Sequence, residues 1–392
     1  MYDAIIVGAG PAGLSTALSV WLHSVRRDYY PEILVIDKEK NPGEKKPCGG
    51  MICKMALNIF PSLEKFSSKK IRQVRILYRN RRFTVNFDDV VAINIDRHIL
   101  ARFLMQKIAK LDTVELNLGE SIQHVNASSD GVTVYSNDKI YRGKILVGAD
   151  GVFSIIRKEI FGYSYDLDEL GVAYQVRLRL SRNTIDELFG DANEFYYGKE
   201  FSPAGYAWIF PHRDHIRIGV GAIASKIRGY DLRTYVRKLI MKYNLQNEKI
   251  IKEEAYLVPL SGGSKRITAH RVLLVGDAAH QVAPLSGAGI HLAIIAGLLA
   301  GEIISRCLIK RRRLSYSLKQ YERIWNCLYG IELRWQRRLV NFLLKRGSKV
   351  AMDKKINNLI RKFAELLLGL TSTYDLIKSW IYTQFLKIIR GY

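Results

Sequence analysis

The chain has 392 residues, more than one hydrophobic core usually fills, so two or three domains are expected. Hydrophobic residues make up 48%, charged residues 25%, and the mean hydropathy is -0.05, which excludes a disordered chain and one that crosses a membrane many times. The 61 Lys and Arg outnumber the 37 Asp and Glu, giving a net +24 that favours a polyanion or an anionic membrane surface as partner. Residues 301–392 carry 20 of the basic and 6 of the acidic residues, so the excess is concentrated in the tail. Cys48, Cys53, Cys307 and Cys327 are too few and too scattered for a disulfide framework and lack iron-sulfur or zinc spacing. A reducing cytosol and no metal are expected.

Residues 4–22 carry no charge and approach the length of a membrane span or a leader peptide. Asp3 precedes them where a leader has basic residues, and Gly8, Gly10, Pro11 and Gly13 interrupt them, so they read as a strand, a turn and a helix. Ala4-Ile5-Ile6-Val7 is the apolar run of a buried parallel strand, and Gly8-Ala9-Gly10-Pro11-Ala12-Gly13 follows it directly. Gly8 permits the tight turn, Gly10 lets a pyrophosphate approach the backbone, and Gly13 lets the next helix pack on the strand. That helix, Pro11 and Ala12 at its start, runs to about His23 and turns its free N–H groups and dipole towards phosphates. A second apolar strand over residues 32–36 ends at Asp37, beside Lys38, where a carboxylate accepts hydrogen bonds from ribose hydroxyls. A glycine turn kept only for packing gives no reason for that acid at the end of the next strand.

Further along, residues 74–78 and 83–87 read as a hairpin around Asn80. Residues 144–147 form a strand that ends in Gly148-Ala149-Asp150-Gly151, with Ser154 and Arg157 after it. Residues 171–180, 193–198, 205–211 and 215–223 alternate like antiparallel strands, with a turn at 212–214. Residues 271–275 open into Gly276-Asp277-Ala278-Ala279-His280, then Pro284 and Gly287-Ala288-Gly289, before a helix from about Ile290. There Asp277 is placed for a ribityl hydroxyl and the helix start for a flavin's pyrimidine edge. Because this motif follows the antiparallel strands, the cofactor domain is discontinuous.

From about Leu314 the pattern is helical. Leu318, Tyr321, Trp325, Leu328, Trp335, Leu339 and Phe342 fall near one face, with Arg323, Arg334, Arg337, Arg338 and Lys345 between them. Ile356, Leu359, Phe363 and Leu366, then Ile377, Ile381 and Phe385, repeat the habit. Two readings stand side by side: a helical region packed on the body with a solvated basic face, or an interfacial surface resting on anionic lipid.

The order of the three motifs, Gly8 to Gly13, Asp150-Gly151 and Gly276-Asp277, resembles the flavoprotein class typified by aromatic hydroxylases, over roughly residues 1–300. Arg97, in Asp96-Arg97-His98-Ile99-Leu100, matches that class's arginine near the cofactor phosphates; its plain reading is a solvated helix residue. Pro47-Cys48-Gly49-Gly50, and Pro203-Ala204-Gly205-Tyr206-Ala207-Trp208-Ile209-Phe210-Pro211, resemble two signatures of geranylgeranyl reductases. Without the family, Cys48 is a small hydrophobe and Tyr206, Trp208 and Phe210 one face of a strand.

The resemblance implies an α/β fold: a discontinuous Rossmann-like FAD-binding domain (1–70, 95–165 and 266–300), an inserted antiparallel-sheet substrate domain (71–94 and 166–265) and a basic helical C-terminal region (301–392). It implies FAD as cofactor, held by Gly8, Gly10, Pro11, Ala12, Gly13, Asp37, Lys38, Cys48, Gly49, Arg97, Asp150, Gly276, Asp277, Gly287, Ala288 and Gly289. The implied reaction is reduction of isoprenoid carbon-carbon double bonds, on geranylgeranyl chains of membrane lipids or a related prenyl compound. Cys48 and Tyr206 would be catalytic, and Tyr206, Trp208 and Phe210 would line the substrate path. An external donor, NAD(P)H or ferredoxin, and a cytoplasmic place at the periphery of the membrane complete the expectation.

Asp277 to His280 with Pro284 to Gly289 look more like the hydroxylase version of the late motif, so a flavin monooxygenase of an apolar or aromatic substrate is the alternative. A flavin halogenase resembles the Tyr206 to Pro211 strand, but no lysine suits its catalyst. A flavin-binding regulator or nucleic-acid-binding protein is suggested by the charge alone. No nucleic-acid module is recognisable, and no nucleic-acid partner is expected.

Overall fold

The computed structural model describes residues 1–78, 81–164, 166–264, 266–310, 314–346 and 357–372. They divide into two units. The first collects Met1–Lys46, Arg97–Asp166 and Val258–Arg334; the second collects Pro47–Asp96, Leu167–Leu257 and the described residues from Trp335 on.

The first unit is built on an eight-stranded sheet whose main strand order is Thr268–Ala269, Val272–Leu274, Ile140–Gly148, Tyr2–Val7, Ile33–Asp37, Val114–Leu118. All these neighbours are parallel except the first pair. The apolar runs read in the sequence are its centre: Ala4, Ile5 and Ile6 pair with Ile145, Leu146 and Val147 on one side and Ile33, Leu34 and Val35 on the other, all with no exposed surface. The chain order reverses beside Tyr2–Val7, and the carboxyl ends of its strands deliver Gly8, Asp37, Gly148 and Val275 to one edge, where such sheets bind their ligands.

The helix Pro11–Val25 packs along the helix Ile290–Lys310 at very close range. A Cβ on Gly297 would run into the Ala12 carbonyl, and one on Gly301 into Ser19, while Ser19 Oγ donates to Leu298 O at 2.6 Å. Ile290–Lys310 is long and apolar enough by length and composition to cross a membrane, yet most of it is buried within the protein. Its apolarity is that of a core helix.

The second unit carries a seven-stranded sheet in the order Ile250–Pro259, Leu170–Arg179, His215–Ile223, Gly205–Pro211, Ala192–Tyr197, Gln73–Tyr78, Arg81–Asn86. Its strands alternate, so each face has its own core. Ala207, Ile209, Ile216, Ile218 and Val220 meet Val236, Leu239 and Ile240 of the helix Leu232–Lys242. On the other face Phe195, Trp208 and Phe210 cluster with Ile360, Ala364 and Leu367 of the helix Asn357–Leu367.

Residues 47–70, expected with the cofactor domain, fall in the second unit, because Met51–Cys53 and Lys69–Ile71 both pair with Ala92–Asn94. The tail is divided too. Leu318, Tyr321 and Trp325 are buried, whereas Leu328, Trp335 and Phe342 are 60%, 47% and 46% exposed. A π-helical turn, Asn326–Gly330, separates Leu314–Trp325 from Ile331–Arg346 and shifts the phase of the stripe, so the single face expected from the sequence is broken. The turn at Asn80 and the positions Ile356, Ile377, Ile381 and Phe385 lie outside the described residues.

Candidate functional site

The glycine turn of the first unit separates space that the chain fills from space that it leaves. Gly8 has φ +113°, and a Cβ there would overlap the Ala149 carbonyl; a Cβ on Gly13 would overlap Gly8 O. Gly10 has ordinary extended angles, φ -77° and ψ 178°, and among the described residues, its chain neighbours aside, the nearest atom a Cβ on it would meet is Arg97 Nη2, at 3.9 Å. The helix that follows starts with Pro11, has no side-chain cap and no acid in its first turn. Its free amides and the Arg97 guanidinium therefore share one open cradle for a doubly charged anion. Asp37 sits beside it, accepting from Ala9 N at 2.6 Å on one oxygen and from Glu39 N at 2.8 Å on the other, so it braces the turn as well as offering lone pairs outward. Lys38, next to it, is exposed.

At the other end of the same edge, Gly276 has φ +64°, and a Cβ on it would come within 2.9 Å of Ala12 Cβ. That close approach sets the late motif against the start of the first helix. Asp277 binds Lys46 Nζ at 2.8 Å through Oδ2, while a Cβ on Gly289 would lie 3.6 Å from Oδ1. Burial pushes the Asp277 carboxyl up, but Lys46, Arg97 and His280 outweigh it and the net shift is down, so the group is a carboxylate at neutral pH. Gly287, at φ +66°, and Ala288 form the loop before Ile290–Lys310. His280 adopts a left-handed turn at φ +55° and its Nδ1 lies 2.8 Å from Ser261 Oγ. Burial and Arg157 drive its imidazole down to about 3 despite Asp277, and its Nε2 is buried with no hydrogen-bond partner.

Asp150 is bound to the chain through one oxygen only. Its Oδ2 accepts from Ile155 N at 2.9 Å, helping Ser154 start the helix Ile155–Phe161, while Oδ1 is buried without a partner. Burial raises its carboxyl further than Ser154 and the local amides lower it. An open cradle over Gly10, an uncapped helix start, Arg97, and two buried unpartnered atoms at the same sheet edge fit the pyrophosphate and the polar rim of FAD.

In the second unit the Pro47-Cys48-Gly49-Gly50 loop lies on the aromatic strand. A Cβ on Gly49 would stand 2.9 Å from the Phe210 ring and 3.7 Å from Trp208 Nε1. Tyr206, Trp208 and Phe210 run in line at centroid spacings of 5.8 and 6.3 Å, with Phe195 and Tyr197 across the ladder at 5.3 Å from Phe210 and 5.5 Å from Tyr206. Trp208 Nε1 and Tyr197 OH are buried without hydrogen-bond partners, and burial holds the Tyr206 phenol protonated by pushing it up. Cys48 is a free, partly exposed thiol whose Sγ takes the Gly50 N–H at 3.3 Å.

Four residues were missed from the sequence: Lys46 and His280 beside Asp277, and Gln175 and Arg217, which both donate to the Cys48 carbonyl oxygen. The last two had a signal. Each is a polar residue between two apolar neighbours in its strand, and each is almost wholly buried.

Residues 172–258 match the family model described as the geranylgeranyl reductase catalytic domain. Over 341 residues the chain is 28% identical to the digeranylgeranylglycerophospholipid reductase of Methanocaldococcus jannaschii, covering 83% of this chain and 82% of that protein. It is 29% identical over 344 residues to the geranylgeranyl diphosphate reductase of Synechocystis sp., covering 83% and 81%. Its fold is that of the crystal structure of a geranylgeranyl bacteriochlorophyll reductase-like protein from Thermoplasma acidophilum, with a TM-score of 0.80, 22% identity and coverage of 96% and 95%. The probable FAD-dependent monooxygenase PqsL of Pseudomonas aeruginosa shares it at a TM-score of 0.66 and 18% identity, with coverage of 88% and 97%.

Proposed function

We propose that this chain, a flavoprotein of the geranylgeranyl reductase family, saturates isoprenoid carbon-carbon double bonds on the geranylgeranyl chains of a membrane lipid or a related prenyl compound. The observation that carries the proposal is the seating of the Cys48 loop on the Trp208 and Phe210 rings, both inside the segment 172–258 that the family model matches. A polar substrate has no use for three aromatic rings in line with two more beside them; a prenyl chain does.

Reduced FAD, when bound, supplies the hydride for one alkene carbon. Gly8, Gly10, Gly13, Arg97, Asp277 and the Gly287 to Gly289 loop would hold it, with Asp37 turned to the adenosine ribose. The second hydrogen must arrive as a proton, and the chain offers the Cys48 thiol and the protonated Tyr206 hydroxyl for it. An isolated alkene is weakly electrophilic, so Trp208 and Phe210 would serve by excluding water and fixing the chain's pose.

The electron donor, NAD(P)H or ferredoxin, would be external. An anionic membrane surface would present the substrate: on the helix Ile331–Arg346 the exposed Ile331, Trp335 and Phe342 fall on one stripe, with Arg334 and Arg338 exposed beside it.

A monooxygenase is the second reading, favoured by the hydroxylase-like Asp277 to His280 and Pro284 to Gly289 segments. The oxygen electrode separates the two. Reduction of a prenyl lipid proceeds without oxygen uptake, whereas uptake in step with product and an oxygen atom in that product would establish the monooxygenase.

A further inference from the structure

Beneath the Cys48 loop lies a buried charged network that neither the glycine motifs nor the aromatic strand accounts for. Arg217, in the middle of His215–Ile223, has no exposed surface, and its guanidinium forks: Nη1 donates to the Cys48 carbonyl and Nη2 to Asp96. Gln175 Nε2 donates to the same Cys48 oxygen at 3.2 Å and to Glu254 Oε2 at 2.9 Å. Arg177 closes the circuit, 3.1 Å from Glu254 Oε1 and 3.6 Å from Asp96. The next two residues of the loop are held as well: His212 Nε2 lies 3.4 Å from Gly49 O, and Ile95 N donates to Gly50 O at 2.9 Å.

Asp96, His212 and His215 come close enough together to suggest a metal site. The Arg217 guanidinium already supplies the cation that Asp96 faces. Burial, Arg217 and His215 hold His212 well below its ordinary value, so it stays neutral.

A buried ion network is not needed to stabilise a sheet, since apolar residues of the same volume often do as well. Its donors converge here on one carbonyl oxygen, that of the thiol-bearing residue, and a backbone oxygen gripped by two donors fixes where the attached Cα and Sγ stand. We propose that Arg217 and Gln175 are positioning residues that clamp the Cys48 carbonyl and thereby set the place of the Cys48 thiol. The inference rests on the role given above to Cys48 at the substrate. Arg217 is suited to it because a planar fork reaches two acceptors at fixed angles, which a lysine cannot do.

The test reads the thiol directly. In a Cys327→Ser background Cys48 is the accessible cysteine, since Cys53 and Cys307 are buried. Its rate of alkylation by iodoacetamide is followed by mass spectrometry in Arg217→Lys and in the milder Gln175→Leu. Glu194→Gln serves as the control, because it disrupts a buried network with Tyr196 and Tyr243 in the same unit that makes no contact with Cys48. Release of the clamp predicts alkylation about tenfold faster in both variants, and turnover lowered by about tenfold with KM little changed, as expected when a reacting group is misplaced rather than lost. Glu194→Gln, at a comparable loss of Tm, should leave the alkylation rate unaltered. Unchanged alkylation in Gln175→Leu and in folded Arg217→Lys, or an equal change in Glu194→Gln, would overturn the clamp. Cys48→Ser is scored separately: full turnover there removes Cys48 from the reaction, whatever the alkylation rates say of the clamp.

Discussion

Substituting the glycines of the first turn one at a time separates a fold position from a ligand position within six residues. Gly13 has no room for a Cβ, which would overlap the Gly8 carbonyl oxygen and crowd Ala149 Cβ at 3.2 Å, and the Gly8 backbone cannot yield. Gly13→Ala should therefore destabilise the apoprotein by about 3 kcal/mol, the upper end of the overpacking range. Gly10 has extended angles and open space in front of it, so Gly10→Val should leave the Tm of the apoprotein nearly unchanged. Its side chain would occupy the cradle under Arg97 and keep a pyrophosphate from the helix amides. Loss of two hydrogen bonds to a charged group, about 1.5–3 kcal/mol each, weakens FAD binding by roughly two to four orders of magnitude. Flavin absorbance per mole of purified protein, FAD titration of the apoprotein and thermal melts of the apo forms measure the three quantities. A Gly10→Val protein that remains yellow, or one whose apo form melts as early as Gly13→Ala, would refute the assignment of that open space to the cofactor.

Asp277→Ala should weaken FAD retention by about 1 to 3 kcal/mol, read by flavin fluorescence titration. Because the Asp277 carboxyl is depressed in the folded protein, its stabilising contribution is present above the ordinary carboxylate range and is lost as pH falls through its lowered value; the variant should lose that acid limb. His280 is depressed from 6.5 to about 3, so its contribution is complete above pH 6.5 and falls away between those values, on the order of 1 kcal/mol per pH unit; His280→Asn, compatible with the left-handed turn, should flatten Tm against pH over that range. Sedimentation with anionic liposomes should fall on adding salt, and Trp335→Ala with Phe342→Ala should reduce what salt leaves bound, whereas equal negligible binding to anionic and neutral vesicles would exclude the membrane surface.

The parts of the cofactor unit that were legible were those where local chemistry dictates the residue. Ala4 to Val7 must be apolar because the strand is buried on both faces, and Gly8 and Gly13 must be glycine because backbone approaches backbone. The period-two pattern of Tyr206, Trp208 and Phe210 likewise announced a strand face. What stayed hidden depends on partners distant in sequence. Lys46 gains its meaning from Asp277, 231 positions away, and Arg217 from Cys48 and Asp96, 169 and 121 positions away. The strands Met51–Cys53 and Lys69–Ile71 are too short to show a period, so their pairing with Ala92–Asn94, and with it the boundary after Lys46, left no trace in the pattern. Asp150 was legible as a motif residue, but its use in starting the helix Ile155–Phe161 was not.

The central claim is that reducing equivalents pass from FAD to an isoprenoid double bond on this chain. The direct measurement is anaerobic: the purified yellow protein is reduced with dithionite, incubated with geranylgeranyl lipids in anionic vesicles, and the extracted lipids are weighed by mass spectrometry. The account predicts successive gains of two hydrogens per chain, absent from Gly10→Val and from samples without reductant. A fully reduced, FAD-loaded protein that returns every prenyl substrate at its original mass would contradict it.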